Sequence, residues 1–196
     1  SAHPLASKVG AEVLKNGGNA VDAAVAVQFA LNVVEPMMSG IGGGGFMMYY
    51  DADDNNVSII NSRESAPAGA TPDMFLGEDG QPLSFAERVQ SGLSVGVPGT
   101  LKGLEDSLEK WGTKSLAELL QPSIQMADEG VPVNWVLANA IKNNQTKLSK
   151  SVAKDVFYPN GEALKEGDLL VQKDLAKTFK LIAEQGTDVF YKGEIG

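Results

Sequence analysis

The stretch NAVDAAVAVQFALNVVEPMMSGIGGGGFMMYY, Asn19 to Tyr50, decides how the rest of the chain is read. Ala20–Val34 is apolar nearly all round, which predicts a helix packed on most sides rather than a surface helix with one apolar stripe. Asn19 is placed to cap it, accepting from the backbone N–H near Asp22, whose carboxylate also suits the positive helix end. Glu35-Pro36 ends it, because the residue before proline is pushed out of helical geometry. After the glycines at 42–45, Phe46–Tyr50 is a continuous apolar run and reads as a strand covered on both faces. The polar run Asp51–Asn56 reads as a hairpin-like turn, and Val57–Ile60 as the returning strand, leading into Asn61-Ser62-Arg63-Glu64.

Working outward, Leu5, Val9 and Val13 fall at helical spacing in Pro4–Lys15, with Asn16-Gly17-Gly18 as the stop. Beyond a Pro/Gly/Ala-rich loop, Phe85–Gln90 reads as a short helix and Leu93–Val97 as another strand. Thr100 is expected to cap a helix with an apolar stripe of Leu101, Leu104, Leu108 and Trp111 that stops at Gly112. Ser115-Leu-Ala-Glu118 has the capping-box pattern of a helix start, and Pro122 is expected to open a further helix ending at Gly130. Asn134 should cap a helix from Trp135 to about Lys147, and Asp174–Gln185 is the last clear one. The final FYKGEIG is read as lacking structure of its own, with Val189-Phe190-Tyr191 in need of something to pack against.

Composition narrows the function. The chain has 196 residues, 43% hydrophobic and 21% charged, ordinary proportions for a globular protein. A net charge of −9 argues against a nucleic-acid partner, which needs a basic face. With no cysteine there are no disulfides, thiolate nucleophiles or Cys-based zinc sites. Ala20–Val34 is too short and too interrupted, by Asp22, Gln28 and Asn32, to cross a bilayer. The opening SAHPLASKV has neither the charged nor the apolar part of an export signal, so such a signal is expected to have been removed or never included.

Most motifs read blandly. Gly40–Gly45 matches G-x-G-x-x-G as a string, but it follows a helix and precedes a strand, the reverse of a dinucleotide fingerprint, so close backbone packing is the better reading. Asp51–Ser62 resembles a calcium loop without the glycine at position six or the glutamate at position twelve. His3 is the only histidine, which argues against a Ser-His-Asp triad within this chain.

Arg63 is different. The chain holds fourteen lysines and two arginines, and one of those two ends an apolar β-like run just before a loop. A guanidinium offers a planar fork that meets a carboxylate with two parallel hydrogen bonds, which a lysine cannot reproduce. The residues alone leave open a substrate clamp or a structural salt bridge with Glu64 or another carboxylate. Arg88, beside Glu87 in a polar helical stretch, reads as a surface residue.

In order along the chain, GGNAVDAAVA, GGGGFM and RE-x-AP, continuing through VGVPGTLKGLEDSLEKWGT and TDVFYKG, resemble the N-terminal part of the γ-glutamyltranspeptidase family, Bacillus-type exported members above all. The resemblance covers essentially all 196 residues. It implies an α+β fold, that of an N-terminal nucleophile hydrolase, a four-layer αββα sandwich of which this chain supplies part, as the N-terminal portion of the large subunit without separate internal domains. It implies a precursor that cuts itself, freeing a threonine nucleophile on a small subunit, and a secreted or periplasmic enzyme. The donor is a γ-glutamyl compound such as glutathione, the acceptor water, an amino acid or a peptide, and no metal or other cofactor is called for. By the same resemblance, Arg63 binds the α-carboxylate of the glutamyl group. No Thr-Thr-His context occurs here, so no catalytic residue is assigned to this chain. Cephalosporin or glutaryl acylases and poly-γ-glutamate depolymerases share the scaffold, and a non-catalytic anion-binding module built on Gly40–Gly45 is the reading from another class.

Overall fold

A computed structural model describes residues 1–196. Its elements run α1 (Pro4–Lys15), α2 (Ala20–Val34), β1 (Gly45–Asp51), β2 (Asn56–Ser62), α3 (Phe85–Gln90), α4 (Thr100–Trp111), α5 (Leu116–Glu129), β3 (Val131–Pro132), α6 (Trp135–Asn143), α7 (Gln145–Leu148), α8 (Lys154–Phe157), β4 (Leu169–Leu170), α9 (Lys173–Gln185) and α10 (Asp188–Tyr191). No helix is long and apolar enough to cross a membrane.

Helix α2 is the centre. Val25, Ala26, Phe29, Ala30 and Val33 are fully buried, and α1, α4 and α5 pack around it, as its nearly uniform apolar surface requires. Phe29 meets Phe179 of α9 edge to face, with ring centroids 5.6 Å apart. Gly10 lets α1 come close, since a Cβ there would lie 2.6 Å from Val27 Cγ2. At the other end, Gln172 Nε2 donates to the carbonyl of Val33 at 2.8 Å in the buried interior.

The start of α2 carries a second role. The Asn19 side chain caps the backbone of Val21 and Asp22, and Asp22 answers by accepting from Asn19 N at 2.8 Å. The fully buried Asp22 carboxylate also accepts from Thr113 N (2.9 Å), Thr113 Oγ1 (2.5 Å) and Lys114 N (3.1 Å). It therefore ties α2 to the connection between α4 and α5. Burial by itself pushes this carboxyl up, but the four hydrogen bonds outweigh it and hold Asp22 below the ordinary aspartate range.

Strands β1 and β2 form an antiparallel hairpin that pairs Gly45 with Ser62 and Asp51 with Asn56. One face lies on the helices: Ile60 is buried, and Tyr49 stacks on Trp111 of α4 with ring centroids 4.4 Å apart. The other face corrects the expectation of a strand covered on both sides. Phe46, Met48, Tyr50, Val57 and Ile59 are all more than half exposed, because the residues present supply a helical layer to one face only. An apolar run without alternation is still the right pattern for a two-sided strand, with one side left open here.

Five further expectations are revised. Leu93–Val97 is not a strand: Gly92–Ser94 forms a single 3₁₀ turn held by Ser91 Oγ, and only Val97 pairs, with Ser65. Thr100 is the first residue of α4 rather than its cap, with Gly99 at the cap position and no side-chain bond there. Pro122 does not begin a helix but sits inside α5, where Leu119, Leu120, Ser123, Ile124 and Ala127 bury one continuous face and hold the helix across it. The segment from Trp135 breaks into α6 and α7 at Asn144, whose side chain donates to the carbonyl of Ala140 and competes with the backbone. The C-terminal segment is not structureless either, since α10 folds back and buries Val189.

Because the folded pKa of Asp22 lies below its unfolded value, its stabilisation is present above the ordinary aspartate pKa and lost as pH falls through the folded one. Asp22→Asn turns an amide N–H₂ toward backbone donors and is expected to lower unfolding stability by about 2–3 kcal/mol at pH 7. Urea unfolding at pH 7 and at pH values below 3.8 should show the gap between the two proteins narrowing in acid. A constant gap would mean that Asp22 acts by packing alone.

Candidate substrate-binding site

The site begins with backbone. Ser62 closes β2 by donating from its Oγ to the carbonyl of Gly45 at 3.1 Å, and the N–H of Arg63 donates to Asn61 Oδ1 at 3.1 Å. On one side lies the glycine loop, on the other the start of α4. A Cβ on Gly44 would collide with the carbonyl oxygen of Ser62 and lie 2.8 Å from Glu64 N. A Cβ on Gly99 would collide with the same oxygen, and one on Gly103 would lie 2.5 Å from the Ser62 side chain. The two flanks are also bonded to each other, since the carbonyl of Gly43 accepts from Gly99 N (2.9 Å) and Thr100 N (3.0 Å). The glycines thus serve close chain packing, which favours the packing reading of Gly40–Gly45 over a phosphate cradle.

Arg63 leaves this clamp and extends between two cavities. Its side chain is 59% exposed, with Nη1 3.4 Å from Glu64 Oε2. One cavity, of about 440 Å³, lies between the end of β2, Pro98, α4 and α10. The other, of about 580 Å³, lies between Gly42, Arg63 to Pro67, Met74, Phe75 and Leu93 to Gly96. The second is walled by an excursion of the chain whose neck is the Ser65–Val97 pair (Val97 N to Ser65 O, 2.8 Å). From Glu64 through Gly99 no residue is buried, and none belongs to the apolar core.

The other charges near the first cavity are engaged with one another. Lys102 meets Glu105 at 2.7 Å and Asp106 at 2.9 Å; the bonds to these two carboxylates hold its ammonium protonated well above the ordinary lysine range. Lys192 is 3.1 Å from Asp188, and Glu105 also accepts from Thr187 Oγ1 at 2.5 Å. Tyr191 donates its hydroxyl to the carbonyl of Pro98 (3.0 Å) and accepts from Lys102 N (3.1 Å), closing that end. Arg63, by contrast, makes no aligned side-chain hydrogen bond and faces both cavities, so its fork is available to an anion.

The remaining candidates read as structure. His3 caps α1, its Nδ1 accepting from Leu5 N at 3.2 Å, and burial favours its neutral form. Asp51 Oδ1 accepts from Asp53 N at 3.0 Å in the hairpin turn. Arg88 lies on α3, which buries no residue, but is itself half-buried, with its Nε shielded from solvent and without a partner. Glu64, which the residues alone offer as a salt-bridge partner for Arg63, does lie within ion-pair distance of it, Nη1 to Oε2 3.4 Å, without an aligned hydrogen bond.

This mixed architecture of helices packed on a hairpin is the fold of the N-terminal nucleophile hydrolases, shared with solved gamma-glutamyltranspeptidases and a cephalosporin acylase. The crystal structure of Helicobacter pylori gamma-glutamyltranspeptidase superposes with a TM-score of 0.94 at 42% identity, covering 100% of this chain and 56% of that one. The gamma-glutamyltranspeptidase family model matches residues 6–196, and the chain belongs to that family. It is 68% identical to the glutathione hydrolase proenzyme of Bacillus subtilis over 194 residues, 99% of this chain and 33% of that protein. It is 42% identical to the acylase ACY 1 proenzyme of a Pseudomonas strain, covering 99% of this chain and 36% of that protein. The chain therefore spans about a third of the length of the relatives it matches.

Two glycines of the loop should respond oppositely to a methyl group. At Gly42 nothing lies within 4 Å of the added carbon, so Gly42→Ala is expected to leave the melting temperature within a few degrees of the parent. Gly44→Ala forces the carbonyl of Ser62 away and should cost roughly 2–4 kcal/mol. Thermal unfolding of the two variants side by side is the check, and equal melting temperatures would contradict the clamp.

Proposed function

We propose that this chain is the N-terminal portion of the large subunit of a γ-glutamyltranspeptidase (glutathione hydrolase), without separate internal domains, and that Arg63 grips the α-carboxylate of the γ-glutamyl donor. The observation that carries this reading is the arginine itself: uncommitted to any aligned hydrogen bond, fixed at its backbone, and open to a cavity on either side. Donors of this kind share the glutamyl head and vary in the leaving group. A clamp on the head carboxylate therefore orients the distal amide of every one of them.

Bond breaking belongs to polypeptide outside this chain. In this reading a small subunit, released by self-cleavage of the precursor, supplies a threonine at its new N-terminus. The hydroxyl attacks the γ-glutamyl carbonyl while the α-amino group takes its proton. Backbone donors hold the oxyanion, the amine departs, and the acyl-enzyme passes to water or to an acceptor amino acid or peptide. The enzyme works outside the cytoplasm, as a secreted or periplasmic protein. The acylase alternative shares the scaffold, but identity is much higher to the glutathione hydrolase proenzyme than to the acylase proenzyme, and this favours the γ-glutamyl reading.

In the complete matured enzyme, Arg63→Lys replaces the fork by a point charge and should lower kcat/KM for a γ-glutamyl anilide by about 100-fold or more. Near-normal activity would end the assignment. The 196-residue chain on its own should release no anilide above background, and turnover by the purified chain would refute the placement of the nucleophile elsewhere.

A further inference from the structure

Glu64 is oddly placed for a surface acid. Its side chain is 28% exposed, half the exposure of its neighbour Arg63, and its Oε2 is buried without a hydrogen-bond partner. Three glycines pack around the side chain. A Cβ on Gly44 would lie 2.8 Å from Oε2, one on Gly96 2.8 Å from Glu64 Cβ, and one on Gly43 3.7 Å from Oε1. Any larger residue at 44 or 96 would displace the side chain. The only cation within ion-pair distance is Arg63, with Nη1 3.4 Å from Oε2.

Stability does not account for this arrangement. A buried carboxylate oxygen without a donor is unfavourable, and an ion pair to a half-exposed arginine returns little. Orientation does. Arg63 could swing into either cavity, whereas Glu64 lines only the one beside Gly42, Phe75 and Val95. A fixed negative charge on that side draws the guanidinium toward it. One N–H edge turned to Glu64 leaves the rest of the fork free for a two-point grip on an incoming carboxylate.

We propose that Glu64 is the positioning residue for Arg63, seated by Gly43, Gly44 and Gly96 so that its carboxylate holds the guanidinium over the cavity walled by Ser65–Pro67 and Leu93–Gly96. The inference rests on the reading of Arg63 as the donor clamp. It makes the glycines around the strand end part of the recognition apparatus as well as of the packing. Glu64 itself does not touch the donor; it fixes the angle at which Arg63 does.

The experiment uses the complete matured enzyme and two anilides, one γ-glutamyl and one 4-aminobutyryl, which is the same donor without its α-carboxylate. Glu64→Gln keeps shape and removes charge. It should raise KM for the γ-glutamyl anilide about tenfold or more, leave kcat within about threefold, and leave kcat/KM for the 4-aminobutyryl anilide within about twofold. Glu64→Asp, charged but shorter, should recover part of the lost affinity. A loss of equal size on both anilides, or no loss on either, overturns the proposal. Arg63→Lys separates the two readings: if it discriminates between the anilides and Glu64→Gln does not, only the role of Glu64 falls. If Arg63→Lys does not discriminate either, the clamp itself falls. Failure of both Glu64 variants to mature would place the carboxylate in folding and count against a positioning role.

Discussion

At the end of β2 the backbone of Ser62 passes between two other stretches of chain with no room for a side chain on either. Gly44 and Gly99 both approach its carbonyl too closely for a Cβ, and Gly103 admits its side chain. The hydrogen bonds from Gly99 and Thr100 to Gly43 join the two walls. Glycine is demanded here by proximity, since neither Gly44 nor Gly99 has a positive φ. What the clamp delivers is direction: the residue after Ser62 has its backbone fixed on both flanks, so the path of the arginine begins from a rigid point. A flexible side chain on a fixed root needs only one further restraint to have a defined aim.

Behind that clamp, the helices are arranged by α2 and the carboxylate near its start. Asp22 accepts four hydrogen bonds in the interior, three of them from the link between α4 and α5. Since Gly99 stands at the cap of α4, Gly103 on its first turn and Trp111 at its end, its placement sets both the clamp and the stacking of Tyr49. The site is thus connected to the core through one helix. A buried charge so fully satisfied is a strong locator, because no other position nearby offers the same donors.

Much of this could be read in the residues. The caps at Asn19, Ser115 and Asn134, the stripe of α4 and the turn at 51–56 are local chemistry, and local chemistry is what a sequence states most directly. The errors share a cause. Pro122 lies within a helix because Leu119, Leu120, Ile124 and Ala127 are held by α2 and α9, elements distant in sequence. Leu93–Val97 has a strand's composition but no partner strand except at Val97. Arg63 stood out through rarity and position, whereas Glu64 is one of twenty-five acids and gains its meaning only from the three glycines that the fold gathers round it.

The excursion that walls the larger cavity is joined to the body by the Ser65–Val97 pair and contributes nothing to the apolar core. Substitutions at Met74, Phe75, Leu93 or Val95 therefore carry little penalty in folding, while the strand end beside them is under tight steric constraint. Constraint and tolerance are divided along the chain at that two-residue neck: the glycine-clamped strand end that roots Arg63 sits on the constrained side, and the outer wall of the cavity sits on the tolerant one.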